Sequence, residues 1–221
     1  MDLMDVIGPV MIGPSSSHTA GAVRLGLLAA SILGEKPVKA EIELHGSFAQ
    51  TYRGHGTDLA LLAGLMGWLP DDARIPEARI FAGENGLEYS FAKVNLGDLA
   101  HPNTVRFKLI GASGAACQVT GSSIGGGQVS VTEIDDYPVE LSGRLPGVLV
   151  LHRDQRGVIA LVSGQLAEDG INIAGMQVFR TGKGGLAIMI IECDQKVAAK
   201  TLEKLTHLMA VKSVRFINNV L

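Results

Sequence analysis

The chain has 221 residues, of which 47% are hydrophobic and 19% charged, and its formal net charge is −3. This length allows one large domain or two small ones, and either could bury a core. The mild acidity and the lack of a lysine or arginine cluster argue against nucleic acid or an anionic membrane as the main partner, so we expect a small-molecule or protein partner. No apolar run approaches the roughly 20 residues that cross a bilayer.

The first residues, Met1 to Asp5, carry two acids and no basic residue. Because targeting segments are typically basic near their start, we expect none here and a cytoplasmic location. The two cysteines, Cys117 and Cys193, lie far apart and lack the spacing of metal ligands. Alone they cannot hold an iron-sulfur cluster, which normally takes about four thiolates. We therefore expect no metal site in this chain.

The first predicted helix, Thr19 to Leu33, is apolar nearly all round, which indicates that it is buried. It follows Gly13 and Pro14, which predict a turn, and three serines at the helix start. Free N–H groups at such a start attract carboxylate or phosphate, and His18 adds a proton carrier beside them. Simple capping of the helix by serine is the alternative interpretation.

Further along the first half, Val38 to His45 alternates apolar and charged residues and predicts a half-buried strand with Val38 on its apolar face. Thr57 to Trp68 predicts a second helix, capped by Thr57. The run Ser122 to Gly127 lacks the lysine of a phosphate-binding P-loop and is interpreted as a flexible hairpin. Further short strands are predicted near residues 78–82, 89–94, 104–110 and 128–134.

From about residue 145 the pattern predicts six elements in the order strand, helix, strand, strand, helix, strand. This βαββαβ order is that of the ferredoxin-like fold, an antiparallel sheet with two helices on one face. Gly170 fits the end of the first of these helices, and residues 182–185 fit a hairpin turn. A boundary near Pro138 to Arg144 divides the chain into domains 1–140 and 145–221. The predicted segments are 145–152, 156–169, 172–181, 185–194, 195–207 and 211–217.

Several histidines stand at predicted edges of strands and helices, where active sites collect. His55 lies between two glycines before the second helix, and Asp58 could orient its imidazole or stabilise its charge. Each histidine alone could be a solvated loop residue. Three of them, each followed by serine, threonine or glycine, favour a site. The other candidates of the first half are His18, His45, Ser47, His101 and Asn103.

The second half carries its own candidate site. His152 and Asp154 end its first strand, and Asn172 leads into its second. We expect these two places to be neighbours in a ferredoxin-like fold, at an edge that also serves to pair two such domains. An amino acid bound there would contact Asn172 and His152. The alternative is that Asn172 merely closes a turn after Gly170.

Four segments carry a resemblance to a known family: GPSSSHTAG at 13–21, HGSFAQTYRGHGTD at 45–58, HPNT at 101–104 and SIGGG at 123–127. In content and order they closely resemble the beta chain of bacterial iron-sulfur L-serine dehydratase. The second half resembles an ACT domain, a small amino-acid-binding module. The resemblance implies an α+β fold in which an N-terminal α/β domain precedes a ferredoxin-like ACT domain.

The family resemblance implies a lyase reaction in which L-serine loses water to give aminoacrylate, which hydrolyses to pyruvate and ammonia without pyridoxal phosphate. It also implies a 4Fe-4S cluster as Lewis acid, held by cysteines of a separate alpha chain rather than by this chain. The serine-rich turn would face that cluster across an interface. Two alternatives stay open: a non-catalytic amino-acid-sensing regulatory protein, and an enzyme with a metal on His18, His45 and His55.

The resemblance also implies roles for single residues. His55 is the candidate base, because an unperturbed imidazole pKa near 6.5 suits proton transfer at neutral pH, and His18 is the next candidate. The substrate carboxylate would be gripped by Ser15, Ser16, Ser17 and Thr19, with support from His45, Ser47, Asp58, His101 and Asn103. An ACT-mediated homodimer would bind an amino-acid effector through His152, Asp154, Gly157, Asn172 and Ile173.

Overall fold

A computed structural model describes residues 9–221, so the expectation drawn from Met1 to Asp5 lies outside the described residues. The N-terminal half, residues 9–141, combines short helices with a six-stranded sheet. Its helical elements are a π-helical turn at Ser16–Ala20, α1 at Gly21–Leu33, α2 at Gly46–Thr51, α3 at Thr57–Leu65, a 3-10 turn at Ile75–Glu77 and α4 at Ala78–Glu84. Its strands are β1 at Pro37–Leu44, β2 at Glu88–Lys93, β3 at Thr104–Gly111, β4 at Ala116–Gly125, β5 at Gln128–Ile134 and β6 at Tyr137–Leu141.

The strands of this sheet lie in the order β2-β1-β3-β4-β5-β6. The β1–β2 pair is parallel and the other pairs are antiparallel. Ala40, Ile42 and Leu44 of β1 are buried, as the alternation predicts. Val38 is exposed because the pairing of β1 with β3 shifts register between Pro37 and Lys39. The apolar face of the sheet supports α1, whose predicted burial is confirmed.

Helices α1 and α3 cross with their backbones in contact at two glycines. A Cβ atom on Gly64 would lie 2.0 Å from the Val23 carbonyl oxygen, and one on Gly26 would lie 2.6 Å from the Leu61 carbonyl oxygen. Because a real Cβ cannot approach a carbonyl oxygen so closely, these two positions require glycine. The crossing brings the segment before α3 close to the start of α1.

The C-terminal half, residues 147–221, confirms the predicted βαββαβ order. Its elements are β7 at Gly147–Arg153, α5 at Val158–Glu168, β8 at Ile173–Arg180, β9 at Leu186–Cys193, α6 at Ala199–Thr206 and β10 at Val211–Ile217. The strands lie in the order β10-β7-β9-β8, and all neighbouring pairs are antiparallel. One face of this sheet packs with Val158, Val162 and Leu166 of α5, and the other face joins the core of the N-terminal half.

Several local predictions for the N-terminal half are wrong. Residues 78–82, predicted as a strand, begin α4, because their buried residues Ala78 and Ala82 stand at helical i, i+4 spacing behind a proline-containing turn. Strands β4 and β6 and helix α2 were not predicted. Ser122 and Ser123 lie within β4, and the glycines after them form the β4–β5 hairpin turn. Gly56 rather than Thr57 caps α3, because its left-handed backbone (φ 66°) turns the chain into the helix.

Candidate functional site

The serine-rich segment forms the start of a helical run that continues into α1. Ser15 caps it, with its Oγ accepting from the His18 backbone N–H at 3.4 Å and its carbonyl accepting from the Thr19 N–H at 2.7 Å. Ser16 and Ser17 are half-buried. The first N–H groups of such a run lack intrahelical acceptors and lie at the positive end of the helix dipole. The capping predicted as the alternative interpretation is present at Ser15, and anion binding at the same corner stays a prediction.

Thr19 differs from the serines because it points into the protein. It is almost completely buried, and a Cβ atom on Gly13 would lie 2.1 Å from its Oγ1. The proposed grip of Thr19 on a substrate is thus replaced by a packing contact with the Gly13 backbone. Gly13 and Thr19 together fix the path of the chain into the π-helical turn.

His18 is 9% exposed and lies at the centre of a small polar network. Its Nδ1 lies 3.4 Å from Ser15 Oγ, and its Nε2 lies 3.4 Å from Ser47 Oγ and 3.2 Å from Thr51 Oγ1. Thr51 Oγ1 already donates its proton to the Ser47 carbonyl at 2.8 Å, so towards His18 it can only accept. This network assigns the ring proton to Nε2 and turns the free lone pair of Nδ1 towards Ser15.

Burial lowers the pKa of His18 below its usual value, and the nearby His55 lowers it further. Both causes favour the neutral ring. The ring also packs edge-on against Phe48, with centroids 5.2 Å apart. A neutral imidazole is therefore held in a fixed orientation beside the serine corner.

His55 is exposed, and its ring centroid lies 4.7 Å from that of His18 at an interplanar angle of 71°. Its loop between α2 and α3 is closed by two backbone bonds, from the His55 N–H to the Thr51 carbonyl at 3.1 Å and from the Thr57 N–H to the Tyr52 carbonyl at 2.9 Å. The α1–α3 crossing thus joins two sequence motifs into one pair of imidazoles, one shielded and one open to approach from outside.

Asp58 does not orient either imidazole through any hydrogen bond or ion pair in residues 9–221. It is buried, and its carboxylate forms an ion pair with Arg79 of α4. The bond to Asp58 raises the pKa of Arg79. Sequence reasoning missed Arg79 because it lies in the segment that was predicted to be a strand. It also missed Thr51, although Thr51 stands one helical turn after Ser47 in the same motif.

His45 and His101 lie beside this network rather than in it. Nδ1 of His45 accepts from the Leu96 N–H at 3.1 Å, and Nδ1 of His101 accepts from the Asn103 N–H at 3.1 Å. The HPNT loop packs against the start of α2, where a Cβ atom on Gly46 would lie 2.5 Å from the Pro102 carbonyl oxygen. The Asn103 carbonyl accepts from the Ser123 N–H at 3.0 Å, so the loop also contacts the SIGGG segment.

The described residues do not provide a ligand set for a metal ion or a cluster. Within residues 9–221, no group of three or more His, Cys, Asp or Glu side chains comes together in a way that could hold a metal ion. Burial raises the pKa of Cys117 to about 12 and that of Cys193 to about 11, which disfavours the thiolate form that binds iron. These two thiols do not fit the ligand set of an iron-sulfur cluster. In the same described part of the chain, no helix is long and apolar enough to span a membrane.

The predicted effector residues lie at opposite ends of the C-terminal sheet. His152 pairs with Ala187 of β9, whereas Ile173 pairs with Cys193 at the other end of the same strand. Strand β9 also separates β7 from β8, so the expectation that His152 and Asn172 are neighbours is wrong within one chain. At about 3.3 Å per residue, the length of β9 puts roughly 20 Å between them.

Each end has its own local contacts. Asp154 accepts from the Gly184 N–H at 3.1 Å and from Arg180 at 2.8 Å, and these bonds lower its pKa. Nδ1 of the buried His152 lies 2.8 Å from the Arg153 carbonyl, while its Nε2 has no hydrogen-bond partner among the residues described. Gly157 caps α5 with a left-handed backbone (φ 88°).

At the other end of the sheet, Asn172 donates to Asp194 at 2.6 Å. Asn172 and Ile173 line an open cavity of about 460 Å³ beside α5. The two groups of predicted effector residues therefore lie apart within one chain.

The comparisons with known proteins agree with the two halves of the fold. Residues 3–85 match the family described as serine dehydratase beta chain, and residues 147–206 match the ACT domain. The chain is 43% identical over 206 residues to the probable L-serine dehydratase, beta chain, of Bacillus subtilis, covering 93% of each chain. It is 40% identical over 191 residues to the L-serine dehydratase, beta chain, of Peptoniphilus asaccharolyticus, covering 86% of each.

The chain also has a more distant sequence similarity to a second enzyme. The D-3-phosphoglycerate dehydrogenase of Bacillus subtilis is 28% identical over 199 residues, which cover 89% of this chain and 37% of that protein. The similarity to the two beta chains is higher and spans most of each chain, so it decides the family. This chain belongs to the serine dehydratase beta chain family and carries an ACT domain in its C-terminal half.

Proposed function

We propose that this chain is the beta subunit of an iron-sulfur-dependent L-serine dehydratase, which deaminates L-serine to pyruvate and ammonia together with an alpha subunit. The observation that carries the proposal is the contact between a shielded, neutral His18 and an exposed His55 at a serine-rich helix start. A carboxylate-binding corner beside a base is what proton removal next to a carboxylate requires. The 4Fe-4S cluster would be held by cysteines of the alpha subunit.

The serine corner binds and orients the substrate in this proposal. Ser15, Ser16 and Ser17 grip the substrate carboxylate with their hydroxyls and with the N–H groups of the helix start. This contact fixes the amino acid with its Cα near the two imidazoles. Ser47 supports the orientation of His18, and His45, His101 and Asn103 support the loops around the corner.

His55 is the proposed base that takes the Cα proton. The loss of this proton and of the β-hydroxyl as water gives 2-aminoacrylate, which tautomerises to the imine and is hydrolysed to pyruvate and ammonia. His55 becomes cationic as it accepts the proton. A neutral His18 beside it avoids the repulsion between two adjacent imidazolium ions, and this is the role that its lowered pKa supports.

The test is an anaerobic serine-to-pyruvate assay of the chain combined with its alpha subunit. We expect H55Q to lower kcat by about 100-fold or more, the range typical for loss of a general base, with the complex and its cluster intact. H207Q is the matched control, because His207 is exposed and lies in the C-terminal half. Wild-type turnover by H55Q would remove His55 as the base. Turnover of L-serine by the isolated chain would overturn the proposal.

We further propose that residues 1–140 form the catalytic half-site domain and residues 145–221 the regulatory ACT domain, with a homodimer completing the effector site. Strand β8 is an edge strand of its sheet. Antiparallel pairing of two β8 edges would bring Asn172 and Ile173 of one copy next to the His152, Asp154 and Gly157 end of the other. Calorimetric titration with L-serine and related amino acids tests this site. The absence of both binding heat and a thermal shift would contradict it. A cytoplasmic location remains a prediction from the sequence.

A further inference from the structure

Helix α1 connects the histidine corner to the C-terminal half. The π-helical turn before its first residue carries His18, and its last turn is bonded to β10 and the residue that follows it. Ser31 Oγ donates to the Phe216 carbonyl at 3.1 Å and accepts from the Asn218 N–H at 2.9 Å. Arg215 Nη1 donates to the Ile32 carbonyl at 2.7 Å. We name these five residues the α1–β10 clamp.

In the clamp, the cationic Arg215 lies at the C-terminal end of α1. The Ile32 carbonyl belongs to the last turn of α1, where carbonyl groups lack intrahelical partners and the dipole favours a cation. The Arg215 stem packs under the helix end, where a Cβ atom on Gly34 would lie 3.1 Å from Arg215 Cγ. Leu149, Ile190 and Ile217 of the C-terminal sheet share a core cluster with α1. Both the end and the flank of α1 are therefore fixed by the C-terminal half.

The turn before α1 has a wider hydrogen-bond register than the α-helix that follows it. The Gly21 N–H bonds to the Ser16 carbonyl in the wide i to i+5 pattern, while the Thr19 N–H bonds to the Ser15 carbonyl in the ordinary i to i+4 pattern. A π-helical turn holds one extra residue relative to an α-helix and often marks a functional site. Conversion to α would rotate the residues before it by about 100° about the helix axis and carry His18 away from Ser47 and Thr51.

Ser123 supports the wide register from the side of the sheet. A Cβ atom on Gly21 would lie 2.1 Å from Ser123 Oγ, so the strand and the turn fit together only with glycine at this position. Ser123 is completely buried, and its hydroxyl has no hydrogen-bond partner among the residues described. The turn is thus packed from the side by β4.

We propose that the α1–β10 clamp sets the register of the π-helical turn, so that Ser31 and Arg215 are positioning residues for His18 and movement of β10 in the C-terminal half alters the histidine corner. The effect of the clamp on catalysis rests on the proposed dehydratase function, whereas its effect on the position of His18 is independent of that function. A ligand that binds the ACT half would act on turnover through this helix, because both ends of the connection lie on one continuous helical run.

The first test follows the imidazole signals of His18 by NMR in the full chain labelled at histidine. We expect S31A to shift the His18 signals and leave those of His207 unchanged, and S31T, which keeps the hydroxyl, to restore them. K212A is the matched control, because Lys212 is exposed on β10. His18 signals that are the same in S31A and wild type would overturn the proposal. If S31A does not fold, R215K, which keeps the charge but loses the geometry of the bond to Ile32, gives the same comparison.

The second test measures kcat and KM of the complex with the alpha subunit. Misplacement of a catalytic group by about 1 Å can lower turnover by about 100-fold, so we expect S31A to lower kcat by about 10- to 100-fold with KM changed less than twofold. Equal kcat values for S31A and K212A would overturn the coupling to catalysis. A complex without dehydratase activity whose His18 signals still follow Ser31 would reject the proposed function and support the clamp.

Discussion

The two candidate sites of this molecule are built in different ways. In the N-terminal half, His18 and His55 stand 37 positions apart in sequence and meet inside one chain, because α1 and α3 cross at Gly26 and Gly64. In the C-terminal half, His152 and Asn172 are closer in sequence but stay at opposite ends of the sheet. A helix crossing can close a site within a chain, whereas strands that run parallel on either side of β9 keep their opposite ends apart.

The largest loss of stability is expected when the crossing of α1 and α3 is disrupted. A side chain at Gly64 must displace the Val23 carbonyl, so we expect G64V to lower the free energy of unfolding by about 3 kcal/mol, at the upper end of typical overpacking. Urea unfolding measures the loss. The control is G164A in α5, where an added Cβ meets nothing within 4 Å and we expect a gain of about 0.5–1 kcal/mol. Equal stability of G64V and wild type would mean that the crossing does not depend on backbone contact.

The ion pair between Asp58 and Arg79 tests how much the stability of the N-terminal half depends on a buried charge. R79A leaves the buried Asp58 carboxylate without its partner, so we expect a loss of about 2 kcal/mol, below the 3–5 kcal/mol of a fully buried pair because Arg79 is half exposed. D72N removes one charge of the Asp72–Arg74 pair and leaves Arg74 over the Trp68 ring, so it should change stability by less than about 0.5 kcal/mol. Thermal unfolding at pH 7 compares the two, and similar losses would contradict the assignment.

The pH dependence of the free energy of unfolding tests whether His18 is shielded from water. Its pKa is lower in the folded chain than in the unfolded one, so between these two values the unfolded state binds more protons. The contribution of His18 is therefore fully present above about pH 6.5 and is lost as the pH falls through the folded pKa. We expect H18Q to lose less stability between pH 7.5 and pH 5 than wild type does. Identical profiles for H18Q and wild type would show that His18 is not shielded.

The smallest effect on stability is expected in the C-terminal half. D154N replaces a partly exposed carboxylate that pairs with the exposed Arg180, so the free energy of unfolding should change by less than about 0.5 kcal/mol. If two copies complete the effector site, D154N should still lower the affinity for an amino-acid ligand, measured by calorimetry. N172A is the second variant, because Asn172 belongs to the other group of predicted effector residues. Mixing D154N with N172A should then restore half of the sites in heterodimers, whereas a site built within one chain would gain nothing from mixing.

Regular alternation and apolar periodicity made much of the fold predictable. The buried helix that ends at Leu33 and all six elements of the C-terminal half follow from the local pattern of apolar residues, because one face of each element must be apolar. The prediction failed where a short segment carries too few residues to show a period. The segment at 78–82 is a helix, and β4 was missed because its serines and glycines resemble a loop.

The candidate site was predicted as a set of residues but not as an arrangement. Serines and histidines next to glycines identify the corner, since those residue types supply anion contacts and proton transfer. The pairing of His18 with His55, the part of Thr51, and the choice of Arg79 as the partner of Asp58 depend on contacts between distant segments. Local sequence carries no signal for such contacts.

By itself the sequence determined which segments are helix or strand over most of the C-terminal half and which side chains can do chemistry, because both properties reside in local residue pattern. The tertiary structure alone decided that Thr19 faces inward, that the π-helical turn and α1 together connect His18 to Arg215, and that the predicted effector residues lie in two separate groups. The physical reason is that each of these facts depends on how close two backbones can approach and in which direction a strand runs, and both are settled only when distant segments pack.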